Sequence, residues 1–455
     1  MVGLLVPIGI GADKTSANFI STITENKQLK AFIAFENKRR WLFKDVHAED
    51  QPTILIAANV GRAYPQFRYA VKLHALPTEQ ADPTVLMDAA TLLAVNPNTG
   101  TVPIFRSSED ARIVAGAYSR VPVLVRKSGQ GETKDWDFHY LTMFHMTNDS
   151  AHFRNKSELD GQEGAWPIGN QRCQSAAGIW LPLYEGKSVQ IYNHRYASVI
   201  TPEGSISGQG QAIHASLDEL ATPDFCPTPR YWVKASEAQA IKRGYAIGFN
   251  DVCNTNNERS LIAAVVPQVG AGNTLPLLDE LDASDCTLLV GNLNAIPCDY
   301  FARNKIQSRH LNKYILEQLP VIPPATYARM FGPKSAADIV RAAVLELSYT
   351  AHDLAPFARD MGHVDAKGEV LPPFAWDEAR RLNLRAKLDA LYFILYGVFE
   401  PARAAESRED VRYIYSTFPI VAEKEAEKWG SYKSEELCLA WVNALMAGQP
   451  DAVIG

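Results

Sequence analysis

Residues 249–276 read F-N-D-V-C-N-T-N-N-E-R-S-L-I-A-A-V-V-P-Q-V-G-A-G-N-T-L-P. An amide-rich turn, with Asn254, Asn256 and Asn257, leads straight into Glu258 and Arg259. The apolar run at 261–266 has the length of a buried strand and is too short for an independent helix. Pro267 cannot donate to a ladder, so the strand is expected to end there. Gly270, Gly272 and Asn273 then supply a turn-prone crossing. A polar hook on the end of a buried strand would hold readout side chains rigidly. An asparagine cluster can equally satisfy its own backbone in an ordinary turn, and chemistry alone leaves both readings open.

Composition bounds the rest. A chain of 455 residues is long enough for two or three domains with real cores. A hydrophobic content of 47% and a charged content of 21% are those of an ordinary soluble globular protein. No apolar run approaches the ~18 residues that a membrane span needs. The opening M-V-G-L-L-V-P-I-G-I-G-A lacks a basic start and is broken by Pro7, Gly9 and Gly11, which argues against a secretion signal. The six cysteines (173, 226, 253, 286, 298 and 438) form no C-x-x-C pair, so neither a zinc site nor a disulfide frame is expected, and a reducing, cytoplasmic location is. The net charge is −6, and residues 131–330 hold 16 Lys and Arg against 21 Asp and Glu. Any nucleic-acid footprint must therefore be a local basic track or be shared with a partner.

Toward the N-terminus, 3–7, 31–35 and 53–57 read as strands. Residues 13–29 read as a helix with Phe19, Ile20 and Ile23 inward. Strand, helix, strand, loop, strand is part of a doubly wound sheet. Residues 88–95 and 110–120 read as connecting helices, and the stretch between them as a strut, with Arg106 as a secondary candidate for a backbone contact. From Trp136 to about Pro320 short β-type runs, aromatics and glycines dominate, a texture suited to projecting side chains into a groove. Residues 289–303 read as a helix interrupted by Pro297. Beyond the stiff P-V-I-P-P at 320–324, apolar stripes at 339–347 and 384–395 read as helices that brace the rest.

The ordered set of stretches resembles the C-terminal half of adenine-specific DNA methyltransferases of the type IIG, Eco57I-like and phage-defence (DISARM- or BREX-like) kinds, which carry their own target-recognition domain. The likeness rests on N-N-E-R-S-L-I-A-A-V-V-P with G-x-x-x-T-L-P in the hook, and on G-L-L-V-P and F-E-N near the start. It continues through N-P-N-T-G-T-V-P-I-F-R-S at 96–107, F-H-M-T-N-D-S at 144–150, L-Y-E-G-K at 183–187 and N-H-R-Y at 193–196. K-I-Q-S-R-H-L-N at 305–312, L-R-A-K-L-D-A at 384–390 and F-P-I at 418–420 complete it. Gln307 and Ser308 stand where the family has a glycine pair, and Lys387 where glutamate is usual.

The resemblance implies a mixed α/β fold. It places the last strands of a doubly wound methyltransferase sheet at 1–75, connecting helices at 76–130, a DNA target-recognition domain at 131–322 and a helical region at 323–455. It implies double-stranded DNA as ligand, with Lys187, His194, Arg195, Asn254, Asn256, Arg259, Arg303, Lys305, Arg309 and Lys313 as candidate contacts. Solvated charge is the competing reading for the lysines and arginines. The family's cofactor turn and its N-P-P-aromatic motif are not found; Gly9-Ile10-Gly11 and Asn96-Pro97-Asn98 both fail the pattern. S-adenosylmethionine is thus expected to serve the complete enzyme and not to bind this chain alone. No catalytic or metal-binding residue is assigned. The implied partner is a catalytic methyltransferase half, with other defence-system proteins as a further class. The alternatives are a stand-alone specificity subunit without enzymatic activity, or a metal-dependent nuclease component. The nuclease reading rests only on Glu185-x-Lys187, whose acidic partner is missing upstream.

Overall fold

The computed structural model describes residues 1–37, 40–46, 51–59, 61–78, 82–201, 210–253, 257–306 and 309–455. The N-terminal sheet has five strands: β1 (Val2–Pro7), β2 (Leu29–Phe35), β3 (Pro52–Ala57), β4 (Phe67–Leu73) and β5 (Val85–Met87). Their spatial order is β1-β3-β2-β4-β5. Strand β3 lies antiparallel to both its neighbours, and β2 and β4 are the parallel pair. The chain is mixed α/β as expected, and within its N-terminal sheet only β2 and β4 have the parallel pairing of a doubly wound arrangement. The chain returns from β2 to β3 with no crossover helix among the described residues, and antiparallel pairing is what such a return allows.

Helix α1 (Ala17–Glu25) joins β1 to β2 and is shorter than the sequence suggests. Ile20 is fully buried, whereas Phe19, expected inward, is 41% exposed. Strand β2 is buried on both faces. Phe32 and Ala34 join the main core, while Ala31, Ile33 and Phe35 form a second cluster with Ala70. Strand β1 is different: its outer edge pairs with no described strand, and Val2, Leu4 and Leu5 are exposed.

Two short helices, α2 (Ala89–Val95) and α3 (Ser108–Tyr118), follow; each is capped by the acceptor that the sequence supplies, Asp88 and Ser107. Residues 131–322 then build two larger sheets, besides a hairpin that pairs Ala197–Ile200 with Gln211–His214. One contains β6 (His139–Leu141). The other carries β7 (Trp166–Gly169), β8 (Arg172–Ser175) and β9 (Gly178–Tyr184), extended by β10 (Tyr231–Lys234). The hook strand β12 (Ala263–Pro267) pairs with β11 (Tyr245–Phe249), which continues through β13 (Leu277–Asp279) to β6. Every residue of β11 and β12 is buried.

Helix α4 (Ala283–Asn294) packs on β12, and α5 (Ile296–Arg303) follows after a break at Ala295. Pro297 does not interrupt a helix. It occupies the first turn of α5, where its missing N–H costs nothing. The tail is helical: α6 (Ala336–Ser348), α7 (Glu378–Leu395), α8 (Ala404–Ser416), α9 (Pro419–Trp429) and α10 (Lys433–Met446). One apolar core runs from β2 through β12 and α4 into α7 and α10. Among the described residues no helix is long and apolar enough to cross a membrane.

Candidate nucleic-acid interface

The hook strand is anchored at its start by side chains rather than by a ladder. Asn294 at the end of α4 accepts from the amide of Ala263 at 2.9 Å and donates back to its carbonyl at 2.8 Å. Asp299 on α5 accepts from the amides of Ser260 (3.1 Å) and Leu261 (3.2 Å). These bonds take up backbone groups that a strand beginning at 261 would have paired, which is why the ladder starts at Ala263 instead. The same carboxylate holds Arg259 Nε at 2.6 Å and lies 3.4 Å from Arg303 Nε. Arg303 donates to the carbonyls of Asn257 (2.8 Å), Glu258 (3.0 Å) and Thr417 (3.1 Å) and stacks on Phe418. Buried charges hold when paired and hydrogen-bonded in this way.

The sequence candidates therefore divide. Asn254 and Asn256 lie outside the described residues. Arg259 and Arg303 meet at Asp299, but both are buried and engaged with the protein. His194 and Arg195 are also interior. His194 Nε2 sits 2.9 Å from Asp353, and Arg195 donates to the carbonyls of Leu220, Thr222, Phe225 and Thr350. Lys305 is buried against the Tyr118 ring and bonds the Val95 carbonyl and Asn96. Burial without an acidic partner holds its ammonium well below the usual lysine range. For these five residues the direct DNA contact expected from the sequence gives way to a structural role, because the hydrogen-bond partners of each side chain belong to the protein itself.

Lys187, Arg309 and Lys313 remain at the surface in part or in full. Lys187 donates to the Gly210 carbonyl at 2.8 Å and faces Glu185 at 3.5 Å. Lys313 lies over the Tyr140 ring and 3.9 Å from Glu317. The segment carrying Arg309 pairs with the base of the hook: the Cys253 amide donates to the Arg309 carbonyl, and the Leu311 amide to that of Asp251. The hook and the basic stretch at 303–313 are thus one structural unit, although the sequence separates them by two helices. Glu185 is buried, and no cluster of His, Cys, Asp and Glu able to hold a metal ion occurs among the described residues.

A cleft of about 680 Å³ opens where this unit meets the N-terminal sheet and the helical tail. Glu36, Lys72 and His74 line it from the ends of β2 and β4, Arg106 from the strut, Asn257 and Arg303 from the hook unit, and Thr417, Pro419 and Ile420 from the tail. Of these, Arg106 was legible beforehand only as a secondary candidate. Nothing in the sequence pattern singles out Lys72 or His74, because no local signal reports which strand ends share a cleft.

Below the hook, Asp389 accepts from the Ile296 amide at 2.8 Å. Burial pushes its carboxyl up to about 6, against the opposing pull of Arg259. The folded value lies above the ordinary one, so between about pH 4 and 6 the native chain keeps a proton that the unfolded chain releases. Stability contributed by this group is present below that window and is lost as pH rises through it, by about 3 kcal/mol. Urea titrations at pH 4 and pH 7 should show Asp389→Asn lacking that loss; parallel profiles for the two proteins would count against it.

Comparison with known proteins gives a narrow result. No family model matches the chain, and no curated protein matches it. Among solved structures, the chain is similar to a type IIL restriction-modification enzyme, MmeI, determined in complex with DNA. The identity is 12%, the TM-score 0.42, and the match covers 92% of this chain and 50% of that one. The chain spans about half the length of the enzyme it matches.

Proposed function

We propose that the chain is the DNA-binding, target-recognition portion of an adenine-specific methyltransferase of restriction-modification or phage defence, working with a catalytic half that carries the cofactor site. The observation that carries the reading is the cleft. It joins three stretches that resemble the family separately, F-E-N at 35–37, the I-F-R-S strut and the N-N-E-R hook, and the exposed Arg106 is among its lining side chains. DNA affinity rests on phosphate neutralisation, and the whole chain has no basic surplus. Binding by the isolated chain is therefore weak, sequence-dependent and steeply lost in salt. Titrating random and methylation-site duplexes at low salt tests this; no binding, even with a catalytic partner added, sinks it.

The second reading is a separately encoded specificity subunit without enzymatic activity, favoured by the open, apolar edge of β1. The two part on one experiment, methyl transfer in the presence of a polypeptide bearing N-P-P-aromatic.

A further inference from the structure

We infer that the loop after β2 grips the phosphate backbone of bound DNA without regard to sequence, through Arg40, Trp41 and Lys44. This contact rests on the DNA-binding reading and extends it to a part of the chain outside the recognition segment. Residues 37–46 read N-K-R-R-W-L-F-K-D-V, with four cations against one acid. Lys38 and Arg39 lie outside the described residues. Arg40 and Lys44 are exposed, and neither side chain makes a hydrogen bond or ion pair with a described residue. Asp45, the one acid, is exposed as well and pairs with no described cation.

The fold shapes this loop from beneath. Asn37 is fully buried, and its whole side chain is committed to the loop. Its Nδ2 donates to the Phe43 carbonyl at 2.9 Å, and its Oδ1 accepts from the amides of Leu42 (3.3 Å) and Phe43 (3.2 Å). The Arg40 amide donates to the Asn37 carbonyl at 2.7 Å, and Arg40 is held at a φ of 50°, which a non-glycine residue resists. Trp41 Nε1 donates to the Glu36 carbonyl at 2.8 Å, and the indole meets Phe35 edge-on with centroids 6.1 Å apart. Trp41 nevertheless stays 38% exposed, although tryptophan is highly buried on average. A ring fixed by its edge and open on its surface, between two unpaired cations, is a docking surface rather than a core contact.

Charge identifies the occupant. Residues 1–75 hold 10 Lys and Arg against 6 Asp and Glu, and the remaining chain holds 35 against 45. The N-terminal unit is therefore net +4 and the rest net −10. A polyanion is repelled by most of the molecule and drawn to this unit, which supplies the local basic surface that a DNA binder of this composition needs. Trp41 is bonded to Glu36, and Glu36 lines the cleft together with Arg106. A duplex entering the cleft thus passes beside the loop. Cations interleaved with an open aromatic ring suit a nucleic-acid backbone, and backbone contacts position a duplex without reading its bases.

The test titrates the full chain with random and methylation-site duplexes over a range of salt concentrations. The double variant Arg40→Ala, Lys44→Ala should lower the slope of log affinity against log salt by about two. Its affinity should fall by the same factor on both duplexes, so the ratio between them stays that of the wild type. Its thermal melting should match the wild type, because both side chains are exposed and unpaired. Duplex should also quench tryptophan emission less in Trp41→Phe than in the wild type. An unchanged slope, or equal quenching, while duplex still binds would overturn the grip and leave the DNA-binding reading standing. A changed ratio would place the two cations among the base readers and overturn it as well. Failure of the wild-type chain to bind duplex, even with a catalytic partner added, would overturn both.

Discussion

Asp299→Ala is expected to destabilise the protein by about 3–5 kcal/mol, enough to leave little folded chain at 37 °C. The carboxylate is fully buried and has four clients: the guanidinium groups of Arg259 and Arg303 and the amides of Ser260 and Leu261. Removing it leaves two buried cations facing one another and two buried donors without an acceptor, each of which costs free energy separately. Asp299→Asn separates these contributions. Its carbonyl can still accept from the backbone but carries no charge, so an intermediate loss is expected. Urea unfolding of the three proteins at pH 7 decides it, and a loss below about 1 kcal/mol for the alanine variant would show that the network contributes little. The hook depends on this result. Arg259 and Arg303 act from within the fold, by holding the start of the hook strand.

The second large effect concerns assembly. The isolated chain is expected to transfer no methyl group and to give no saturable heat with S-adenosylmethionine. Co-expression with a polypeptide carrying N-P-P-aromatic is expected to produce adenine methylation. The docking site expected for that polypeptide is the edge of β1 that pairs with no described strand. There Leu4 and Leu5 are 41% and 56% exposed, although Leu55, opposite Leu4, is fully buried and Ile54, opposite Leu5, is half-buried. An open edge with exposed apolar side chains on both faces is a template for another strand. Leu5→Lys should leave the isolated chain's stability within about 0.5 kcal/mol, since the residue has little packing to lose. It should nevertheless lower methylation in the co-expressed pair at least ten-fold. A micromolar cofactor signal from the chain alone would place the cofactor site in this polypeptide. Full activity of the lysine variant would move the interface elsewhere. The neighbouring strand is not part of this surface. Phe32, Ile33 and Phe35 are covered by β3, β4 and the segment carrying Leu42.

Local order was largely legible in the residues. The run ending at Pro267, the apolar stripe of α7 and the strands β1 to β3 follow from periodicity, length and breakers, which act over a few residues. The direction of the charged side chains was not legible. An arginine or lysine reads the same whether it meets solvent, a phosphate or a carbonyl, and the acceptor that decides is distant in sequence. Arg195 is satisfied by Thr350, 155 positions away, and Lys305 by Val95, 210 positions away. Sheet order was hidden for the same reason: whether β3 lies between β1 and β2 depends on pairings that no local propensity encodes. The sequence by itself therefore determined which segments become strands and helices. Only the tertiary structure decided which cations hold the hook from within and which, Arg106 foremost, are left facing the cleft, because that choice depends on where the buried acceptors lie.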